Sequence, residues 1–382
     1  MRNDPSGYGA PGRSPLTAPV ASCRETPGRR ARSLLLGLVL WISSACAGGP
    51  TPPSPVGAQQ YLYVASQEDV SVAVIDLATN TLVTTVDLKA LGYPATAKAH
   101  DTSVDPDGSH WYVSLIAAGK VLKFDRDNRL VSETEFETPG LLVTDPTSDR
   151  LYVGRSMAAV NPPQRIGVVE RTTMSIEEVD VFFPRPHALA VDALGERFFA
   201  ASLGQGSLAY APLGAEEVDL LNLDGMNPMI VQFAVSPDGR WLVGTGQMSG
   251  DLMVFDVSGT APRLVRRTQV GEQPWHPSFT PDGREVWIPN QTGASVTVVE
   301  TSGWTITDVV RHAALVEPHG SAVAPDGRTV YVSGRNTSGA YRPEDRSDRR
   351  PGTVVAIDRA SREVVAVIEV GAYAAGMSLA GR

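Results

Sequence analysis

The chain has 382 residues, 42% of them hydrophobic, and a net charge of −9. That length suits one large domain or two ordinary ones, and 36 Gly with 29 Pro imply many turns. After the first 46 residues, 27 basic side chains stand against 40 acidic ones, which excludes the concentrated basic surface a nucleic-acid binder needs.

In chain order, the first element is an export signal. Arg29, Arg30 and Arg32 precede an apolar run from Leu34 to Ile42. The run is too short to span a bilayer, so it reads as a signal-peptide core. Ser43-Ser44-Ala45-Cys46 follows and resembles a bacterial lipoprotein box, with Ser43 where Leu is usual. The stretch AGGPTPPSPVGAQQ is a Pro/Gly/Ser tether. The expected organisation is a leader at 1–46, a tether at 47–60 and one folded domain at 61–382. The protein is expected to be exported, periplasmic or extracellular, and lipid-anchored through Cys46; the alternative is plain export with cleavage near Ala47. Both cysteines, Cys23 and Cys46, lie in the leader. The folded part therefore has no disulfide, thiolate metal site or cysteine nucleophile.

A repeat fills the rest. VDPDGSHWYVS begins at Val104, TDPTSDRLYVG at Thr144, VDALGERFFAA at Val191, VSPDGRWLVGT at Val235, FTPDGREVWIP at Phe279 and VAPDGRTVYVS at Val323. The spacings are 40, 47, 44, 44 and 44 residues. Each unit has a strand A, a turn, an alternating strand B, and strands C and D. Pro presets the turn and Asp-Gly tolerates the left-handed conformation that reverses the chain. A four-stranded antiparallel sheet recurring at this period is the mark of an all-β propeller. The domain opens with strands B, C and D alone at 61–88 and closes with a lone strand A, AAGMSLAGR. The last strand is expected to complete the first blade, giving seven blades.

The segments YLYVAS, RLYVGR, TVYVSGRN and VAVIDLATNTLVTTVDL, with the repeated PDG turns, resemble the YVTN-repeat (YncE-like) family of bacterial seven-bladed propellers. The resemblance covers nearly all of 61–382. It implies the fold; the family's members include binding proteins, lactonase-like proteins and redox-enzyme domains, so it does not imply one activity.

The histidines follow the repeat. Four residues before each marker stand His100, Gly140, His187, Val231, Trp275 and His319, with Ala375 at the same place in the closing strand. Half of the six histidines thus share one register, and His276 adjoins it. Strand A is the innermost strand, and its start lies at the mouth of the central channel. Blades 2, 4 and 7 divide a ring of seven as evenly as three can, so His100, His187 and His319 are expected to converge. Neutral imidazoles without thiolates suit a transition metal such as Cu or Zn. Three of them with an open position would make a catalytic-type site. Asp101, Arg185, Trp275, Glu317 and Arg335 are expected at the same rim, with Asp101 or Glu317 orienting an imidazole or acting as base. Hub copper sites, as in nitrous oxide reductase, resemble this arrangement in architecture only. The insertion from Arg335 to Gly352, with Tyr341, Arg342, Arg346, Arg349 and Arg350, is a candidate lid or anion binder. His110 and His312 read as structural, and Asp125–Asn128 as a hairpin turn. No GxSxG, HExxH, Walker loop or GxGxxG motif is present.

The expected function is a monomeric exported propeller that binds a metal ion or small ligand through histidines at the channel mouth. The alternatives are a metal-free scaffold for an envelope protein and a lactonase-like, metal-dependent hydrolase. No nucleic acid is expected as partner, and no membrane contact beyond the lipid anchor.

Overall fold

The computed structural model describes residues 60–380 apart from 193, 195, 216, 344 and 346–348. The leader, both cysteines, the tether up to residue 59, and Arg346 lie outside the described residues. The described chain forms 28 strands and one short 3-10 helix, Lys89–Leu91. The strands assemble into seven four-stranded antiparallel sheets. Six are built from consecutive strands. The seventh joins the last strand, Ala374–Leu379, to Tyr61–Ser66 at the start. The expected closure and blade count are observed.

Each blade buries its inner three strands and exposes its outermost. Strand B of blade 1, Tyr61–Ser66, and strand C, Ser71–Asp76, are buried almost throughout, whereas strand D, Thr81–Asp87, is largely exposed. Seven apolar clusters result, one between each pair of adjacent blades. A single sheet cannot cover both of its own faces, so each blade relies on two neighbours. Between blades 1 and 2, Trp111 lies between Tyr63 at 4.9 Å and Phe124 at 4.2 Å, stacked on both.

The turns after strand A follow their chemistry. Gly108, Gly239, Gly283 and Gly327 all adopt φ of 67–70°, the left-handed state the Asp-Gly turn requires. Blade 3 has no glycine there. Its Asp145 side chain instead accepts the N–H groups of Thr147 and Ser148, closing an Asx-type turn.

A sevenfold feature shapes the start of every strand A. The residue two before the register position has positive φ in all seven blades: Lys98, Thr138, Arg185, Met229, Gln273, Glu317 and Tyr373, at 47–62°. One residue is then paired, and the next falls in a bulge. In blade 2, Ala99 pairs with Leu115 and Thr102 with Val113, leaving one residue too many in strand A. In blade 4, Pro186 pairs with Ser202 and Ala188 with Ala201, leaving His187 out. The same extra residue occurs in blades 1, 3, 5 and 7. In blade 6 it lies between the bridge Pro274–Asn290 and the two-residue strand Ser278–Phe279. A bulge bends its strand and re-aims the bulged side chain.

Hydroxyls from strand B tie the bulges to the preceding blade. Ser114 donates to the Gly140 carbonyl at 2.7 Å, Thr245 to that of Trp275 at 2.7 Å, and Ser333 to that of Ala375 at 2.7 Å. Trp111 is fully buried. Trp111→Ala is therefore expected to cost about 3–5 kcal/mol, read as a lower denaturation midpoint in urea with an unchanged slope.

Candidate functional site at the hub mouth

The bulge register brings the four expected histidines together. Blades 2 and 4 are not neighbours, yet the rings of His100 and His187 lie 6.5 Å apart. His100 lies 6.0 Å from His319, and His319 lies 4.4 Å from His276. Trp275 packs against His319 at 4.4 Å. All four imidazoles are buried.

Their protonation follows from their surroundings. His187 Nδ1–H donates to the Arg155 carbonyl at 2.7 Å. A carbonyl only accepts, so the proton sits on Nδ1 and Nε2 keeps its lone pair. That Nε2 is buried without a hydrogen-bond partner. The Gln67 side-chain amide donates to His100 Nδ1 at 3.1 Å, and His100 Nε2 has no partner. Neither ring nitrogen of His319 has one. Burial pushes the His100 imidazole down to about 3, with His187 and Arg335 adding to the effect. Burial takes His187 down to about 4, partly offset by the Arg155 carbonyl and reinforced by Arg185. His319 is held well below its usual value by burial, then by Arg335 and the other imidazoles. His100, His187 and His319 are therefore neutral at pH 7.

Arg335 completes the group. It follows strand B of blade 7, Thr329–Gly334, and is only 8% exposed. Its guanidinium lies over the rings of Trp275 at 4.6 Å and Tyr373 at 4.8 Å. Burial lowers its pKa, and Tyr373 and Glu317 oppose that shift. A guanidinium nonetheless stays charged in a protein. No carboxylate among the described residues forms an ion pair with it, and its Nε lacks an acceptor.

The other expected rim residues divide. Arg185 is near enough to depress His187, and it donates to the Met157 carbonyl at 3.0 Å. Asp101 is tied to the blade 3 backbone. Its Oδ2 accepts the Leu142 N–H at 2.9 Å, and its Oδ1 occupies the space where a Cβ on Gly376 would stand. Glu317 anchors the blade 7 insertion, accepting the N–H groups of Thr337 at 2.8 Å and Ser338 at 3.2 Å. The insertion does not turn Tyr341 and Arg349 toward the hub. Both reach Glu369 on the outer strand Val364–Val370, at 3.2 Å each. His110 bonds Asp105 at 3.2 Å beside a groove of about 480 Å³ on the opposite face, and His312 Nδ1 accepts the Ala314 N–H in its loop. Asp125 accepts the Arg129 N–H, as a hairpin turn should.

Sequence reasoning missed three contributors. Gln67 and Tyr373 come from blade 1, where the register residue is Ala375. The third is Leu203, which joins the register residues Val231 and Trp275 in an apolar wall with Met157 and Met229 against it. Gly140 explains why blade 3 offers no side chain. A Cβ there would lie 2.8 Å from the Arg155 backbone.

As placed, the donor set is open. Ligation at about 2 Å would bring imidazole centres to about 5 Å of one another. The observed 6.0 and 6.5 Å are wider, and among the described residues no group of three or more His, Cys, Asp or Glu side chains is placed to hold an ion. The anchored Nδ1–H and unpartnered Nε2 lone pair of His187 nevertheless have the form of a metal ligand with its supporting bond.

Comparison with solved structures gives the fold. A functionally unknown protein from Desulfotomaculum acetoxidans superposes with a TM-score of 0.68 at 12% identity, over 84% of this chain and 98% of that one. The periplasmic gluconolactonase of Pseudomonas aeruginosa gives 0.66 at 19% identity, over 85% and 99%. A Bacteroides fragilis protein provisionally called a 6-phosphogluconolactonase gives 0.64 at 12% identity, over 85% and 99%. No family model and no curated protein matches the sequence.

Neutral buried imidazoles make stability depend on pH. An unfolded imidazole takes a proton near 6.5, whereas folded His100 and His187 wait until about 3 and about 4. Their contribution is complete above pH 6.5 and is lost as pH falls from there toward the folded values. Urea midpoints are expected to drop between pH 6.5 and 4.5, before most carboxylates titrate. His100→Asn with His187→Asn should flatten that slope. The chain is a seven-bladed β-propeller of the architecture shared with lactonase-like bacterial proteins.

Proposed function

We propose that this protein is an exported propeller of the YVTN-repeat kind that binds a small ligand at the hub mouth through His100, His187 and His319, with His276 beside them. The observation that carries this reading is the set of buried imidazole nitrogens without partners, converging from blades that are not adjacent. Buried polar atoms are normally satisfied, and a ligand is what would satisfy these. A transition metal, Cu or Zn, is one ligand that imidazoles suit; it would supply Lewis-acid or redox chemistry there. Binding one would require the rings to close inward, with His187 Nε2 as the ready donor and Gln67 turning its carbonyl oxygen toward His100 Nδ1.

The test is elemental mass spectrometry of the untagged protein after challenge with copper, zinc and iron. One equivalent of metal, lost on changing His100, His187 and His319 together, is the expected result for a metal site. No metal under any challenge would remove the metal from this reading.

The second reading is a lactonase-like hydrolase, favoured by the names of two of the similar propellers. It requires metal-dependent lactone turnover that disappears with His187→Ala. The lipid anchor is proposed from Ser43-Ser44-Ala45-Cys46. Cys46→Ser is expected to move the protein from the membrane fraction to the soluble one; an unchanged distribution would leave plain export.

A further inference from the structure

The hub mouth has two chemically different sides. One holds Arg335, a cation that is buried, flanked by two aromatic rings and without a carboxylate partner among the described residues. His319 adds a second unmet donor, because a neutral imidazole carries one N–H and neither of its nitrogens has a partner. The other side is the apolar wall of Leu203, Val231 and Trp275. Trp275 belongs to both, touching Arg335 with its ring face and Val231 and Leu203 within the wall. The loops around that wall carry large apolar side chains in the open. Phe182 is 59% exposed, Met226 89% and Met248 71%, all on the D–A and B–C connections of the same face.

From this pairing we infer that the hub mouth takes a small organic carboxylate with an apolar body. Its carboxylate lies on Arg335 and its body lies along Leu203, Val231 and Trp275. Three physical points carry this. A buried charge is kept only where something compensates it, and the aromatic faces, with a Glu317 carboxylate that forms no ion pair with it, do so only in part. A guanidinium covered by rings still offers its N–H edge, whose fork matches the two oxygens of a carboxylate. A ligand pocket typically combines an apolar lining with few polar groups that fix orientation. The inference rests on the proposed reading of the hub mouth as a ligand site, and it names the class of ligand.

The experiment is isothermal titration of the purified protein at constant ionic strength with four probes: octanoate, acetate, octan-1-ol and inorganic phosphate. Octanoate is expected to bind at least about tenfold more tightly than each of the others, since it alone offers both the charge and the apolar body. Arg335→Met should weaken octanoate by about tenfold or more, and Arg335→Lys by less, because a lysine keeps the charge but not the fork. Thermal unfolding of both variants separates binding from folding. A ligand-holding Arg335 predicts a midpoint that is kept or raised in Arg335→Met, because an unpaired buried charge has been removed. Octan-1-ol or phosphate matching octanoate in the unaltered protein would overturn the inference, whatever the variants do. So would octanoate binding that survives in a folded Arg335→Met. One equivalent of copper or zinc lost in the triple histidine variant, without any octanoate binding, would overturn the carboxylate and leave the hub-site reading intact. Octanoate binding with the predicted Arg335 dependence and no metal uptake would support the carboxylate and remove the metal.

Discussion

Closure of the ring is the constraint on which the molecule depends. Ala374–Leu379 pairs with Tyr61–Ser66, so residues more than three hundred positions apart share one sheet. Without that pairing, blade 1 would lack its innermost strand, and the clusters on both its faces would open to water. An open arc would also expose two sheet faces to solvent. With closure each blade meets a neighbour on both sides, and the cost of ordering many short strands is offset by apolar burial at seven interfaces. Tyr331 of blade 7 bonds Asn80 of blade 1 at 2.5 Å across that junction.

Closure also makes the hub. Once seven strands A face a common axis, whatever each presents at its start is brought together. The backbone prepares this position alike in all blades, with a left-handed residue, one paired residue and then a bulge. The left-handed state is uncommon outside glycine, and here it falls on Lys, Thr, Arg, Met, Gln, Glu and Tyr. The surrounding hydrogen bonds must over-determine it, and hydroxyls such as Ser114 and Ser333 supply part of that support. The scaffold is thus repetitive while the side chains it aims are not. Blade 3 gives a glycine because the Arg155 backbone leaves no room, blade 5 gives Val231, and blades 2, 4 and 7 give histidine.

The result is a site with unusual polarity for a buried place. His100, His187 and His319 are neutral because burial disfavours their charged form, and Arg335 reinforces that at His100 and His319 through repulsion. One permanent cation among neutral rings makes the hub a better receptor for negative charge than for positive. A divalent ion at the same point would have to overcome Arg335. Glu317 offsets part of that charge at a distance, but it forms no ion pair with Arg335 and its oxygens hold the blade 7 insertion.

Much of this was legible in the chain. The period of about 44 residues, the Asp-Gly turns and the missing strand A at the start were enough for seven blades closed by the last strand, because those signals are local and recur. The histidine register was legible for the same reason: a repeat maps sequence position onto spatial position. What the tertiary structure decided was every relation between blades. That Asp101 turns to Leu142, that Glu317 holds Thr337, and that Tyr341 and Arg349 face Glu369 depend on contacts between distant segments. The pairing of Arg335 with Trp275 and Tyr373 joins three blades, and no periodicity encodes it. Residue type and register determined which groups reach the hub; only packing decided which of them are left there without partners, because satisfaction of a buried polar atom depends on neighbours that the linear order does not bring together.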